Sequence, residues 1–144
     1  MTLWTSRSLE ALLSKEFTIT EIAEIPEISE DSPIVVAFKQ ATEREAMERD
    51  DFLAQPVELE IRDGLYSGER TFARRRAFEV YLTMTDCDIL NEKGKPLFNF
   101  AEMDGVKKVA GRYEEFLKRW GKLPLPVADA IYERCLEVNP DWSA

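Results

Sequence analysis

The sequence predicts an α+β domain that is mainly α-helical, with a small N-terminal β-hairpin followed by a helical part that ends in an antiparallel αα-hairpin. Three observations lead to this class. Residues 34–38, IVVAF, form a β-branched apolar run that follows a proline, which is typical of a strand. Thr42 and Glu45 have the spacing of a helix capping box. Apolar residues then recur at helical spacing between residues 106 and 138.

Length and composition favour one domain over residues 1–144. A chain of 144 residues with 44% hydrophobic content is large enough to bury its own core. The pattern of elements divides it into a mixed strand and helix part, residues 17–61, and a helical part, residues 69–138.

The N-terminal part begins with a predicted helix from Thr5 or Ser6 to about Glu16, with Trp4 before the cap. An isoleucine and a glutamate then recur every third residue in TEIAEIPEISE, where a proline forbids a regular helix. We expect an extended segment around Thr18 and Ile19, an irregular acidic turn, and pairing of that segment with the strand at 34–38 in a hairpin.

A helix is predicted from the capping box to about Ala54, and the alternating VELEI of residues 57–61 indicates a short edge strand before a turn at Asp63-Gly64. Residues 69–84 are ambiguous, because their apolar positions fit both a helical stripe and a strand alternation. The length of the segment and its arginine-rich start favour the helix.

Residues 91–96, NEKGKP, have the composition of a turn. Asn99 can cap a long helix whose apolar face runs from Val106 to Trp120, with Gly121 as its C-terminal cap. A last helix is predicted from residues 124–126 to the Asn139-Pro140 stop. The short link between the two helices predicts the αα-hairpin.

The net charge of −9 is unevenly distributed. Residues 1–69 carry 6 basic and 16 acidic side chains, residues 70–122 carry 12 and 8, and residues 123–144 carry 1 and 4. A basic middle between acidic ends favours self-complementary or head-to-tail contact between protomers, and we expect a homo-oligomer. A merely solvated charged surface is the alternative.

Several classes of function are excluded by residues that the sequence lacks. Without histidine, the chain cannot form a Ser-His-Asp or Cys-His arrangement or a histidine metal site. The chain contains neither of the glycine-rich phosphate-binding motifs GxxxxGK[ST] and GxGxxG. The N-terminus lacks the features of a signal peptide and no apolar run is long enough to span a bilayer, so we expect a cytoplasmic protein. We also expect no cofactor.

Two specific functions, that of a metal-dependent hydrolase and that of a nucleic-acid adaptor, remain open as alternatives. Asp86, Asp88 and Glu92 could hold a divalent metal in a hydrolase, although their spacing fits no EF-hand loop and a solvated helix end is the simpler interpretation. The arginine cluster from Arg70 to Arg76 could bind nucleic acid as an adaptor, but the acidic chain disfavours it, and such stripes more often meet an acidic partner.

Five residues are the predicted partner-binding set, with no catalytic or metal-ligating residue among them. The arginines could meet an acidic partner. Trp142, which follows Asn139-Pro140, could anchor a partner, although packing back on its own helix pair is the favoured alternative. The set comprises Arg70, Arg74, Arg75, Trp120 and Trp142.

Two stretches of the chain, SPIVVAFKQATEREAMERD at residues 32–50 and CDILNEKGKPLF at residues 87–98, resemble the tail assembly chaperones of long-tailed, siphovirus-like bacteriophages. The first resembles the strand of that family and the helix opened by Thr or Ser that follows it. The second resembles the end of its central helix and the turn before two closing helices. This chain differs in carrying Asn91 and Lys93 where acidic residues are typical. The resemblance implies a non-enzymatic factor in the host cytoplasm that binds the tape-measure protein and recruits tail-tube subunits, usually as an oligomer.

Overall fold

A β-hairpin opens the part of the chain that the computed structural model describes, which comprises residues 14–55, 57–61, 64–68, 72–103 and 105–143. Strand β1 (Ser14–Ile19) pairs antiparallel with β2 (Ile34–Lys39), with Ile19 opposite Ile34. This confirms the predicted hairpin. The predicted first helix lies mainly outside the described residues, and its last part is wrong, because Ser14 to Glu16 belong to β1.

The central strand of a three-stranded sheet is β2, flanked by β1 and by β5 (Met84–Cys87). Its β-branched and aromatic side chains are almost all buried, as expected of a strand with a partner on both edges. The sequence reasoning missed β5. It has only four residues and follows directly on a helix, so it offers almost no periodicity of its own.

Helix α1 (Glu43–Ala54) begins at the predicted capping box. The Glu45 backbone N–H donates to the Thr42 hydroxyl, and the Thr42 backbone N–H donates to the Glu45 carboxylate. Strand β3 (Val57–Ile61) confirms the predicted strand and pairs with β4 (Gly64–Gly68), which was not predicted. Asp63 of the predicted turn lies outside the described residues.

Helix α2 (Phe72–Thr83) confirms the choice of helix for the ambiguous segment. Its buried residues include Ala77, Val80 and the charged Glu79. The predicted turn at residues 91–96 is present and is closed by a bridge between Leu90 and Pro96.

The predicted long helix from Asn99 to Trp120 is wrong in its first half. Residues 100–109 form a second hairpin of β6 (Phe100–Met103) and β7 (Val106–Val109), and only α3 (Tyr113–Trp120) is helical. The physical reason lies in two glycines, because Gly105 has φ +79° and Gly111 has φ +85°, a left-handed conformation that interrupts a right-handed helix.

The last helix, α4 (Leu125–Val138), has the predicted bounds and is followed by a 3-10 turn (Pro140–Ser143). The αα-hairpin is a partial error. Helices α3 and α4 are joined by a short link, but they do not pack along each other, because both contact α2 and α4 also contacts strands β1 and β2. An eight-residue α3 is too short to cover a helix of 14 residues.

The core lies where α2, α3 and α4 cover the three-stranded sheet. Its largest fully buried side chains include Phe38, Phe98, Met84 and Ile131. The α+β class with an N-terminal hairpin is therefore confirmed, and helices hold somewhat more of the described residues than strands do.

Candidate functional site

A groove of about 510 Å³ lies between α1, α2 and α3. Helix α1 contributes Phe52 and two acidic side chains, α2 contributes Phe78 and Arg74, and α3 contributes Tyr113 and Leu117. Each helix turns one part of its apolar stripe toward this space. In this groove, side chains from three helices meet around an aromatic base.

The base of the groove is a compact aromatic group. The Phe52 and Phe78 rings stack in parallel with their centroids 4.0 Å apart, and Tyr113 meets both edge-on at 5.5 and 5.0 Å. Such aromatic pairs stabilise a protein by more than the burial of their apolar area alone would. The Tyr113 hydroxyl also donates to the Arg74 backbone carbonyl at 3.2 Å, so α3 is fastened to α2 beside the groove. The base is thus a preformed aromatic group, in which Phe52 is 8% exposed and Phe78 and Tyr113 are half-buried.

The rim of the groove is acidic. Glu48 and Asp51 stand on the α1 side and Glu114 on the α3 side, and all three are exposed. Arg74 is the basic residue among the described residues that line the groove. The charges of the rim therefore favour a ligand with positive charge next to an apolar surface.

A buried carboxylate on α2 connects three helices. The Glu79 side chain has no exposed area, and it accepts hydrogen bonds from Arg49 Nε at 2.5 Å and from the Tyr132 hydroxyl at 2.6 Å. These contacts join α1, α2 and α4. Burial and the Glu79 hydrogen bond raise the pKa of Tyr132, so the phenol stays protonated as the donor. We interpret this centre as structural, because its groups satisfy one another.

A second buried carboxylate, Glu45, joins the end of the sheet to the second hairpin. Its oxygens accept from Lys39 Nζ, from the Thr42 N–H and from Lys108 Nζ, the last at 2.7 Å. Burial by itself would raise the pKa of Glu45, but the hydrogen bonds from Lys108, Lys39 and Thr42 outweigh it and hold that pKa below its ordinary value of 4.5. The carboxylate is therefore ionised at neutral pH.

Because the pKa of Glu45 is lowered in the folded state, we expect the folded protein to lose stability at acidic pH. A carboxyl that binds its proton less tightly in the folded state stabilises the fold above its unfolded pKa, and that contribution is lost as the pH falls through the folded value. We expect Glu45→Gln to lower the free energy of unfolding by about 2 kcal/mol at pH 7. The difference from the wild type should shrink below about pH 4. Urea unfolding across this pH range measures it, and a difference that stays constant with pH would contradict the assignment.

The predicted tryptophans lie inside the protein. Trp120 is 6% exposed and packs with Phe116 and Phe98, and Trp142 is 7% exposed beneath the Arg49 guanidinium at 5.2 Å. The structure thus follows the alternative of packing within the fold. Neither indole offers an exposed surface to a partner.

The arginine cluster is divided among different surroundings. Arg74 is exposed at the groove, and Arg75 is half-buried with its guanidinium 5.3 Å from the Phe72 ring centroid. Arg76 is buried and pairs with Asp129 of α4, and Arg70 lies outside the described residues. The described arginines do not form one basic surface, so the geometry gives the nucleic-acid alternative little support.

The three carboxylates of the metal alternative are not brought together. Asp88 accepts from the Val35 backbone N–H, and Asp86 accepts from the N–H of Cys87, so both serve local backbone structure. Within the described part of the chain, no group of three Asp, Glu, Cys or His side chains has metal-binding geometry. The divalent-metal hydrolase therefore gains no geometric support.

Both cysteines are buried, and burial raises the pKa of each thiol to about 12. A thiol that stays protonated at neutral pH is a poor nucleophile. Cys87 and Cys135 thus belong to the core, as small apolar side chains do.

Comparison with known proteins gives no relative. No protein-family model, curated protein or solved structure matches this chain. Among the described residues, no helix is both long and apolar enough to cross a membrane.

The sequence reasoning missed most of the groove, because its residues come from three helices. Phe52 and Phe78 are 26 positions apart and belong to two separate predicted helices, so the sequence pattern does not bring them together. The signal that could have identified the groove is Phe52, because an aromatic side chain among the charged residues of α1 is not expected on a face that only contacts water. Arg74 is the member of the predicted set that does line the groove.

Proposed function

We propose that this protein is a non-enzymatic binding and assembly factor that holds an amphipathic helix of its partner in the groove between α1, α2 and α3. The single observation that carries the proposal is the aromatic base of Phe52, Phe78 and Tyr113 beneath an acidic rim. An apolar groove of this kind receives the apolar face of a helix, read at positions i, i+3, i+4 and i+7. The rim selects a helix whose flanks are basic.

The resemblance to tail assembly chaperones supplies the identity that we propose for the partner. The strand β2 and helix α1 carry the first of the two resembling stretches and adopt the order that the resemblance implies. The second stretch is followed by a β-hairpin before the closing helices, which departs from the implied order. On this proposal the protein acts as an oligomer in the host cytoplasm, coats the tape-measure protein and recruits tail-tube subunits.

The groove can be tested with a defined probe. A fluorescein-labelled helical peptide of about 20 residues, with leucines on one face and lysines beside them, is expected to bind, with fluorescence anisotropy as the readout. Phe78→Ala is expected to weaken binding about thirtyfold, as loss of a central aromatic contact does. A peptide with glutamates in place of the lysines should bind more weakly than the lysine peptide.

The rim provides a variant that leaves the core untouched. Neutralising Glu48, Asp51 and Glu114 to Gln, Asn and Gln removes exposed charges only, and it is expected to reduce both the affinity for the lysine peptide and its salt dependence. The matched control neutralises three exposed glutamates that lie outside the groove. Equal loss in the two variants would show a general charge effect and refute the groove as the binding site. The control residues are Glu16, Glu92 and Glu102.

The identity of the client needs a separate experiment. We expect coexpression with fragments of a tape-measure protein to yield a complex and to raise the yield of the fragment in the supernatant, and we expect the groove variant Phe78→Ala to abolish both. A wild-type protein that gives neither complex nor improved yield, while it still binds the lysine peptide, would refute the tape-measure client and leave the groove in place.

A further inference from the structure

A second groove, of about 450 Å³, lies on a part of the surface that shares no lining residue with the first. It is formed by the turn of residues 91–99 and the C-terminal end of α3. Lys95, Arg119 and Lys122 supply its charges, with the amides Asn91 and Asn99 beside them, and its described lining contains no carboxylate. We call it the basic groove.

Among the described residues, no carboxylate neutralises the positive charge of the basic groove. Counting the residues that the structure describes, none of the three cations pairs with a carboxylate, whereas Lys39, Arg49, Arg76 and Lys108 do. On a chain with net charge −9 this is a local concentration of positive potential. Such a surface attracts an anionic partner.

The basic groove is also rigid at its edges. The Asn91 side-chain oxygen accepts from the N–H groups of Lys93 and Lys95, and the Asn91 N–H donates to the Lys95 carbonyl at 2.7 Å. On the other edge, the Lys122 N–H donates to the Arg119 carbonyl at 3.1 Å. A preorganised site loses little conformational entropy on binding.

The same chain carries an anionic segment that fits such a site. In the loop between β1 and β2, Ile22, Ile25 and Ile28 face the core, and successive turns are closed by the Ile25 N–H to Ile22 and the Ile28 N–H to Ile25. The carboxylates that alternate with these isoleucines or follow them are exposed and, in the described part of the chain, unpaired. We call this set the acidic ridge: Glu21, Glu24, Glu27, Glu30 and Asp31.

We propose that the basic groove receives the acidic ridge of a second copy of this protein. The two surfaces have opposite charge, and among the described residues neither is neutralised by its own chain. The ridge carries a glutamate at every third residue from 21 to 30, and two cations of the groove, Arg119 and Lys122, have the same spacing. The contact joins two different surfaces, so it is heterologous, and each added copy leaves one groove and one ridge available. This inference does not rest on the partner-binding groove.

Sedimentation velocity at about 50 mM and about 500 mM NaCl tests the proposal. The wild type is expected to sediment as oligomers at low salt and as a monomer at high salt. Replacing Lys95, Arg119 and Lys122 with Gln should weaken self-association at least about tenfold, and replacing Glu24, Glu27 and Glu30 with Gln should do the same. A wild type that is monomeric at low salt, or a groove variant that assembles like the wild type, overturns the proposal.

An equimolar mixture of the two variants separates a groove-to-ridge contact from a general charge effect. One variant retains a native groove and the other a native ridge, so the mixture is expected to form a heterodimer and no larger species. Absence of the heterodimer overturns the assignment. The control neutralises three exposed cations elsewhere, Lys15, Arg44 and Lys107, and should assemble like the wild type.

Discussion

Replacing Glu79 with alanine is expected to lower the free energy of unfolding by about 3–5 kcal/mol, as removal of one partner from a buried charge pair does. The Glu79 carboxylate has no exposed area and accepts from both Arg49 and Tyr132. Without it, the Arg49 guanidinium, whose side chain is only 15% exposed, loses its hydrogen-bonded counter-charge, and the Tyr132 hydroxyl loses its acceptor. Urea denaturation followed by circular dichroism measures the change.

Two further substitutions separate the parts of this effect. Glu79→Gln retains an acceptor for Tyr132 and should cost less than the alanine, and Tyr132→Phe should cost about 1 kcal/mol. Glu92→Ala, at an exposed position, should change stability by less than about 0.5 kcal/mol. If Glu79→Ala were no more destabilising than Glu92→Ala, the buried centre would not hold the helices together as we describe.

The second large effect is expected for Trp120→Ala, which should lower the free energy of unfolding by about 3–5 kcal/mol. Trp120 is 6% exposed, and its ring centroid lies 5.9 Å from that of Phe116 and 6.4 Å from that of Phe98. Removing the indole leaves a cavity at the end of α3. Thermal or urea unfolding tests this directly.

Trp120→Phe and Leu125→Ala are the matched controls for this position. The phenylalanine keeps part of the aromatic packing and should cost less, and Leu125 is 67% exposed, so its truncation should cost little. A Trp120→Ala protein with unchanged stability but lost partner binding would contradict the core role and restore the prediction that this tryptophan is a partner anchor.

The local elements with their own chemical signal could be predicted from the sequence. The capping box of Thr42 and Glu45 specifies the start of α1 through side-chain to backbone hydrogen bonds, which need no tertiary partner. The β-branched run of β2 and the proline-bounded α4 are also found where the pattern places them. In each case the cause lies within a few neighbouring residues.

The error in the predicted long helix shows what periodicity alone leaves out. Val106 and Val109 fit the apolar face of a helix, but they lie on β7, because left-handed glycines at 105 and 111 isolate the segment from α3. The dipeptide Asp104-Gly105 is a hairpin signal, and it carried more information than the helical stripe.

The candidate site is less predictable because it is a product of tertiary packing. Phe52 and Phe78 stack only because α1 and α2 meet, and Tyr113 joins them only because Gly111 ends the strand before it. The tryptophans that attract attention in the sequence are buried, in keeping with the large area that aromatic residues contribute to cores. The arginine cluster likewise divides between core and surface.

The most direct measurement of the central proposal is site-specific photo-crosslinking to the lysine-rich helical peptide. A benzoylphenylalanine introduced at Asp51 or Glu114, on the two sides of the partner-binding groove, is expected to crosslink to the peptide, with the adducts located by mass spectrometry. The same group at Glu137, an exposed position of α4 outside the groove, should not. Crosslinking from position 137 that equals or exceeds crosslinking from positions 51 and 114 would contradict binding in the groove.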